Sequence, residues 1–342
     1  MATEFLGDVA GWSALRSLSF EVLPEHGNDE PASPTLVVPP TVYFPSLEEV
    51  QMKGNCVWPC EHAETRYPSV RTFSFQPCHD LCADLRAVVS TCENLETLSL
   101  DLQLVQKYSG PPDDSLFDLA LSASQVRTVR IRGISRTNEK CILDIFRLSS
   151  RVELSLEYCQ ISDVGSGRAI FRDLGEGARV SVTCEAEELS LRGTDRRGCL
   201  RRISAPVLST ASSDDLQRLV CSKHPLPWPK VAELTVDYSL WFSLARHLPA
   251  LPALTALELV VDDTEVPLRS DEPPSLPALR SLTLLSRAGV VILLPGQVAN
   301  LVRGLGIPCQ LANLRVDHRL VTGNLAFLSG LAPHVKVGVC HV

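Results

Sequence analysis

The apolar residues of this chain fall into one recurring pattern, apolar-x-x-apolar-x-apolar. It appears first as Leu15, Leu18 and Phe20, then as Leu47, Val50, Met52; Val70, Phe73, Phe75; Leu95, Leu98, Leu100; and Val126, Val129, Ile131. It continues as Val231, Leu234, Val236; Leu254, Leu257, Leu259; Leu279, Leu282, Leu284; and Leu311, Leu314, Val316. Incomplete copies lie at Val152, Leu154, Leu156, at Leu189 with Leu191, and at Leu200 with Ile203. Starts are mostly about 23 to 32 residues apart, the spacing of a stacked structural repeat, and the register is lost around residues 175 to 200. The last two apolar positions of each copy are two residues apart, which predicts a short strand with one buried face, entered through a turn that holds the first.

Between the copies the period becomes helical, as in Leu81, Leu85, Val88; Leu116, Leu119; Ile142, Ile145, Phe146; Leu216, Leu219; Leu240, Leu244, Leu248; and Val298, Leu301, Val302, Leu305. Ser115 and Ser213-Asp214 supply candidate N-cap oxygens. Helices of two or three turns are stable only when one face packs on its neighbours. Alternating short strands and helices therefore predict an α/β solenoid, with parallel strands on a concave face and short helices on a convex one.

The repeats resemble the leucine-rich repeat family, whose pattern Leu-x-x-Leu-x-Leu-x-x-Asn/Cys is matched from Leu47 to Asn55, from Val70 to Cys78, and in its second half by Leu154, Leu156 and Cys159. The resemblance covers nearly the whole chain and implies a ribonuclease-inhibitor-like horseshoe. The expectation is a single irregular domain over residues 1–342, with the first repeat strand near 15–20 and the last near 335–339. The segment from Leu154 to Asp163 is similar to the cysteine-containing repeats of many F-box receptors, and the uneven repeat lengths resemble fungal F-box proteins. That resemblance implies the substrate-recognition region of a ubiquitin ligase receptor. It would bind a Skp1-type adaptor only if an F-box is supplied upstream, because the first repeat strand is reached by Leu15. The alternative is a stand-alone leucine-rich repeat scaffold, or a truncated or decayed relative with no ligase role. At the Asn/Cys position most copies carry another residue, such as Gln103, Ile134, Thr194, Ser239, Asp262 or Arg319, so no continuous side-chain ladder is expected there.

Three proline- and acid-rich segments, 23–45, 107–115 and 261–277, are expected to bulge as loops, since proline at that density forbids regular helix. The glycine-rich stretch from Gly165 to Gly198 is expected to mark a bend or a decayed repeat. Leucine makes up about one residue in seven and aromatics 6%, which predicts an aliphatic core. The net charge of −8 gives no overall attraction to nucleic acid or to an acidic membrane surface. The N-terminus lacks the basic and apolar regions of a signal peptide, and no apolar run reaches the roughly 20 residues of a membrane helix. A cytoplasmic or nuclear protein with reduced thiols is expected, although it has 12 cysteines.

Function in such repeats is expected on the concave strand face, at positions alternating with the buried ones. The central column reads Ser19, Gln51, Ser74, Ser99, Arg130, Ser155, Ser190, Ser204, Thr235, Glu258, Thr283 and Arg315. Small hydroxyl side chains suit strands about 4.8 Å apart. Charge divides the face, with Arg130, Arg132, Arg192 and Arg202 in the middle repeats and Glu233, Asp237 and Glu258 in later ones. Adjoining opposite charges suit a protein partner better than a polyanion. Cys56, Cys60, Cys78 and Cys82, with His62 and His79, are the candidate zinc ligands, but the wide spacing and the repeat register favour buried thiols, so neither metal nor cofactor is expected. Nucleotide-binding, metalloprotease and nucleophile-elbow motifs are absent from the sequence, and no enzyme activity is expected.

Overall fold

The computed structural model describes residues 12–22, 36–38, 44–54, 56–58, 66–77, 81–102, 125–134, 145–146, 153–157, 170–171, 174–185, 188–206, 226–245, 248–261, 275–287, 292–305 and 311–340. It is a mixed α/β structure that falls into two compact units, Met1–Ser162 and Asp163–Val342.

The first unit contains β1 (Ser17–Glu21), β2 (Leu36–Val37), β3 (Glu49–Lys53), β4 (Cys56–Val57), β5 (Thr72–Phe75), helix α1 (Leu81–Thr91), β6 (Thr97–Asp101), β7 (Thr128–Arg132) and β8 (Glu153–Glu157). Strands β1, β3, β5, β6, β7 and β8 lie side by side in that order, and each pair is parallel. Every one of these strands follows from the apolar-x-apolar pairs of the sequence. The β2 strand was not expected: part of the segment 23–45 pairs in parallel with β4, while residues 23–35 and 39–43 lie outside the described residues.

The second unit contains β9 (Ala178–Glu185), β10 (Glu188–Thr194), β11 (Leu200–Pro206), β12 (Val231–Asp237), helix α2 (Tyr238–Ala245), β13 (Ala256–Val260), β14 (Ser281–Leu285), helix α3 (Pro295–Gly304), β15 (Asn313–Asp317) and β16 (His334–Gly338). Its strand order is β11, β10, β9, β12, β13, β14, β15, β16. From β9 through β12 to β16 the pairs are parallel. The β9–β10–β11 segment is instead an antiparallel meander, contrary to the all-parallel expectation. Strand β9 falls within the stretch expected to be irregular. The physical reason is connection length: β10 and β11 are joined by Asp195–Cys199 alone, and only antiparallel neighbours can be linked so tightly. Alternating apolar residues look the same in either orientation, so Leu189, Leu191 and Ile203 gave no warning.

Helices α1, α2 and α3 stand where the helical period placed them. The expected helices around Leu116 and Leu216 lie outside the described residues, as does the segment 107–115; of 261–277, residues 262–274 do. Val261 is fully buried and its N–H donates to the Leu285 carbonyl at 2.8 Å, extending the β13 pairing.

In five of the copies the first apolar position closes a turn that aims the chain into its strand. Leu47, Val70, Leu95, Leu254 and Leu279 each donate a backbone N–H to the carbonyl three residues earlier, on Phe44, Tyr67, Cys92, Leu251 and Leu276, at 3.2–3.3 Å. In four of these turns the second residue is proline, namely Pro45, Pro68, Pro252 and Pro277. Proline there holds φ near the value such a turn requires. The residues at both ends of each turn are buried, so the turns are pinned to the core. In the first unit they also stack: Ser69 Oγ donates to the Pro45 carbonyl at 2.7 Å, and Asn94 Nδ2 to the Pro68 carbonyl at 2.8 Å.

The core is aliphatic along the strands, but the first unit corrects the expectation that aromatics play little part in it. Trp58 meets Tyr67 at 5.0 Å and Phe73 at 4.9 Å between ring centroids, and Phe73 meets Phe75 edge-on at 5.6 Å. The indole N–H of Trp58 donates to Thr91 Oγ1 at 2.9 Å, and that hydroxyl donates to the Ala87 carbonyl at 2.7 Å. Burial pushes the neighbouring Cys92 thiol up to about 12, consistent with a packing role.

Candidate functional site

The first sheet buries one face and leaves the other open, and the open face is ordered by register. Ser19, Gln51, Ser74, Ser99, Arg130 and Ser155 occupy one row, each opposite the next. Just before the strands, Arg16, Glu48, Arg71, Glu96 and Arg127 form a second row, in which each of the last four donates its backbone N–H to the carbonyl of the one before at 2.8–2.9 Å. Charge alternates along it, with ion pairs between Arg16 and Glu48 at 4.0 Å and between Arg71 and Glu96. These are exposed pairs of small energetic value, and they complement the strand order rather than cement it.

At the other end of the strands lies a groove of about 490 Å³, lined among others by Lys53, Ser74, Ser99, Arg130, Arg132 and Glu157. Two arginines expected in the partner-binding face enter it with different surroundings. Arg132 stands in register between Asp101 and Glu157, whereas Arg130 stands between Ser99 and Ser155. The Arg132 charge is thus matched across both neighbouring strands, and that of Arg130 is met only by hydroxyls. Lys53, Asp101 and Glu157 were not singled out from the sequence. They share the strand-end row with Arg132, two residues beyond the central column, and reading that second column would have found them.

In the second unit the meander changes which residues align. Arg192 is opposite Arg202 on one side and Ser181 on the other, and the row continues through Thr235, Glu258, Thr283, Arg315 and Lys336. Ser190 and Ser204, expected in that row, sit in the adjacent one, opposite each other.

The three acidic residues of the expected binding face are all engaged locally. Glu233 pairs with Arg179 at 3.0 Å, and Glu258 accepts a hydrogen bond from Thr235 Oγ1 at 2.9 Å. Asp237 is 4% exposed and does not present its carboxylate to the open face. It pairs with Arg287 at 2.9 Å and accepts the Cys184 N–H at 2.5 Å, and Arg287 in turn donates to the Cys184 carbonyl at 3.1 Å. A carboxylate so buried and paired holds β12 to the end of β9 and to the turn after β14.

Comparison with known proteins finds no family model that matches this chain and no curated protein with significant similarity.

Two further buried carboxylates fix loops at the strand ends. Asp195 accepts the N–H groups of Gly175, Arg197 and Cys199 at 2.9–3.0 Å and the Arg197 side chain at 2.7 and 2.9 Å, and so shapes the β10–β11 turn. Burial acts to raise its pKa, but the hydrogen bonds from Arg197 and the three amides outweigh it and hold the carboxyl below the usual range. Asp317 is held low chiefly by the Arg319 guanidinium, against the opposing effect of burial.

Of the candidate zinc ligands, Cys56 and Cys82 are buried, and Cys56 Sγ contacts the Lys53 carbonyl at 3.3 Å. Cys60, Cys78, His62 and His79 lie outside the described residues. Among the described residues no cluster of metal-ligating side chains is present, and no helix is long and apolar enough to cross a membrane.

Proposed function

We propose that this chain is a protein-interaction scaffold of irregular leucine-rich repeats, and that the open face of its first sheet holds the partner. The observation that carries this reading is the groove at the strand ends, where Arg130 lacks a carboxylate in register while Lys53, Arg132, Asp101 and Glu157 offer both charge signs around it. Opposite charges on a broad sheet face favour a protein surface with complementary charges and oppose a uniform polyanion. The reading does not involve catalysis, metal or cofactor. It is tested by affinity capture with the wild-type chain and with an Arg130→Ala/Arg132→Ala variant of unchanged folding. The partner captured by the wild type should be lost from the variant, and equal capture removes the groove from the reading.

A finer proposal places the chain in ubiquitin ligation, as the substrate-recognition region of an F-box-type receptor in the cytoplasm or nucleus. Its support is the sequence from Leu154 to Asp163, similar to the cysteine-containing repeats of such receptors. It requires an F-box and a Skp1-type adaptor. If the full gene product does not co-purify with such an adaptor, the stand-alone scaffold remains.

A further inference from the structure

Several arginines on these strands meet an acid across the strand, as Arg71 meets Glu96, Arg179 meets Glu233, and Arg132 stands between Asp101 and Glu157. Arg192 and Arg202 break that pattern. Strands β10 and β11 place them directly opposite each other, while the adjacent pair Leu191 and Ile203 fills the core. Both arginines therefore project from the open face. Among the described residues neither makes an ion pair or a side-chain hydrogen bond. Like charges in directly opposed positions weaken a sheet, so the pair is a local cost to folding.

On the β9 side the surroundings supply a hydroxyl donor and no counter-charge in register. Ser181 lies on the other side of Arg192. Ser190 and Ser204 form the next opposed pair on the same face. Ser204 is fully buried, and its Oγ has no hydrogen-bond partner. Glu188 on β10 is four residues from Arg192, beyond the reach of an opposed pair. The other in-register cation pair, Arg315 and Lys336, differs in lying on the edge strand β16, where only Thr283 flanks it.

We propose that Arg192 and Arg202 form an oxyanion clamp, taking a single carboxylate or phosphoryl group carried on a side chain of a protein partner. Two planar guanidinium forks can each donate two bonds to one oxyanion, and the anion removes the repulsion between them. A chain of phosphates does not fit the same row, since Glu258 stands three strands from Arg192, about 14 Å away at ordinary strand spacing. The clamp does not rest on the groove of the first unit, because its test needs no natural partner.

The test uses the full chain and follows the arginine Nε–Hε resonances by NMR during titration with three probes. These are inorganic phosphate, a neutral extended peptide carrying one phosphoserine, and the same peptide carrying one glutamate. The resonances of Arg192 and Arg202 should move together and saturate, with at least one peptide binding more tightly than phosphate. Arg192→Gln should weaken that binding about tenfold or more, Arg192→Lys by a smaller factor, and Arg315→Gln should leave it unchanged. Binding unaffected by Arg192→Gln overturns the clamp. Phosphate binding at least as tightly as both peptides overturns its assignment to a partner's side chain.

Discussion

Arg319 clasps Asp317 from two residues further along the chain, with Nη2 2.6 Å from Oδ2 and Nε 3.1 Å from Oδ1, and the Asp317 carboxylate is fully buried within that clasp. The same guanidinium donates to the Ser286 carbonyl at 2.9 Å, which ties the end of β15 to the turn after β14. The Arg319 side chain is 38% exposed while Asp317 is fully buried, so it is loss of the arginine that strands a buried charge. Arg319→Ala should therefore lower the unfolding free energy by about 1–3 kcal/mol in a urea titration. A loss below about 0.5 kcal/mol, the size of an ordinary surface substitution, would show that the clasp contributes little.

The same carboxylates predict the response to acid. Asp195 and Asp317 both have pKa values lowered in the folded protein. A group of this kind stabilises the fold above its unfolded value, near 3.9 for aspartate, and that contribution disappears as pH falls through the lower folded value. Melting temperature should change little from pH 7 to about 5 on account of these groups and fall steeply below about 4. Asp195→Asn should be less stable at neutral pH and show a shallower acid limb. An unchanged limb would place the acid sensitivity elsewhere.

Most of the strands could be read in advance because their buried residues alternate, and alternation survives whatever the neighbours are. Leu98 and Leu100, or Leu282 and Leu284, mark a buried strand face without any knowledge of the sheet. Orientation and register do not follow from alternation. The antiparallel meander depended on the shortness of Asp195–Cys199, and with it went the alignment of Arg192 with Arg202 rather than with a serine column. The groove was half legible: Arg130 lay in the column that was read, while Lys53, Asp101 and Glu157 lay in the row beyond it. Burial of Asp237 could not be foreseen, because its partners, Arg287 and the Cys184 amide, are about fifty residues away in either direction.

Gly54 shapes one end of the groove and leaves no room for a side chain. Its φ is +77°, and a Cβ placed there would lie 2.1 Å from the Val22 carbonyl oxygen. Its N–H also donates to Gln76 Oε1 at 2.9 Å. Gly54→Ala must shift the backbone of β1 or β3, in addition to adopting a left-handed conformation that L residues disfavour. A stability loss of about 1–3 kcal/mol is expected by chemical denaturation. Full stability together with an unchanged spectrum around Val22 would show that the turn relaxes freely.

The proline turns should contribute through the unfolded chain. Pro68 is exposed, it occupies the second position of the Tyr67–Val70 turn, and its carbonyl accepts the Asn94 amide, which substitution leaves in place. Pro68→Ala should then cost about 0.4–1 kcal/mol by restoring freedom to the unfolded state. The comparison is a denaturation midpoint measured beside Pro252→Ala in the second unit, where a similar loss is expected. No loss at either position would mean that burial of the flanking residues alone sets the turns.

The opposed arginines make a prediction of the opposite sign. If Arg192 and Arg202 repel each other across β10 and β11, replacing the exposed Arg192 with a neutral β-branched residue relieves that repulsion and suits a strand better. Arg192→Thr should therefore raise stability by about 0.2–1 kcal/mol at low salt. The gain should shrink as ionic strength rises, because charges on an exposed face are screened over about 10 Å at 0.1 M salt. The same substitution should abolish the phosphate-induced shift of Arg202, so stability and anion binding change in opposite directions. A salt-independent loss of stability would instead show that Arg192 supports the sheet through packing of its aliphatic stem.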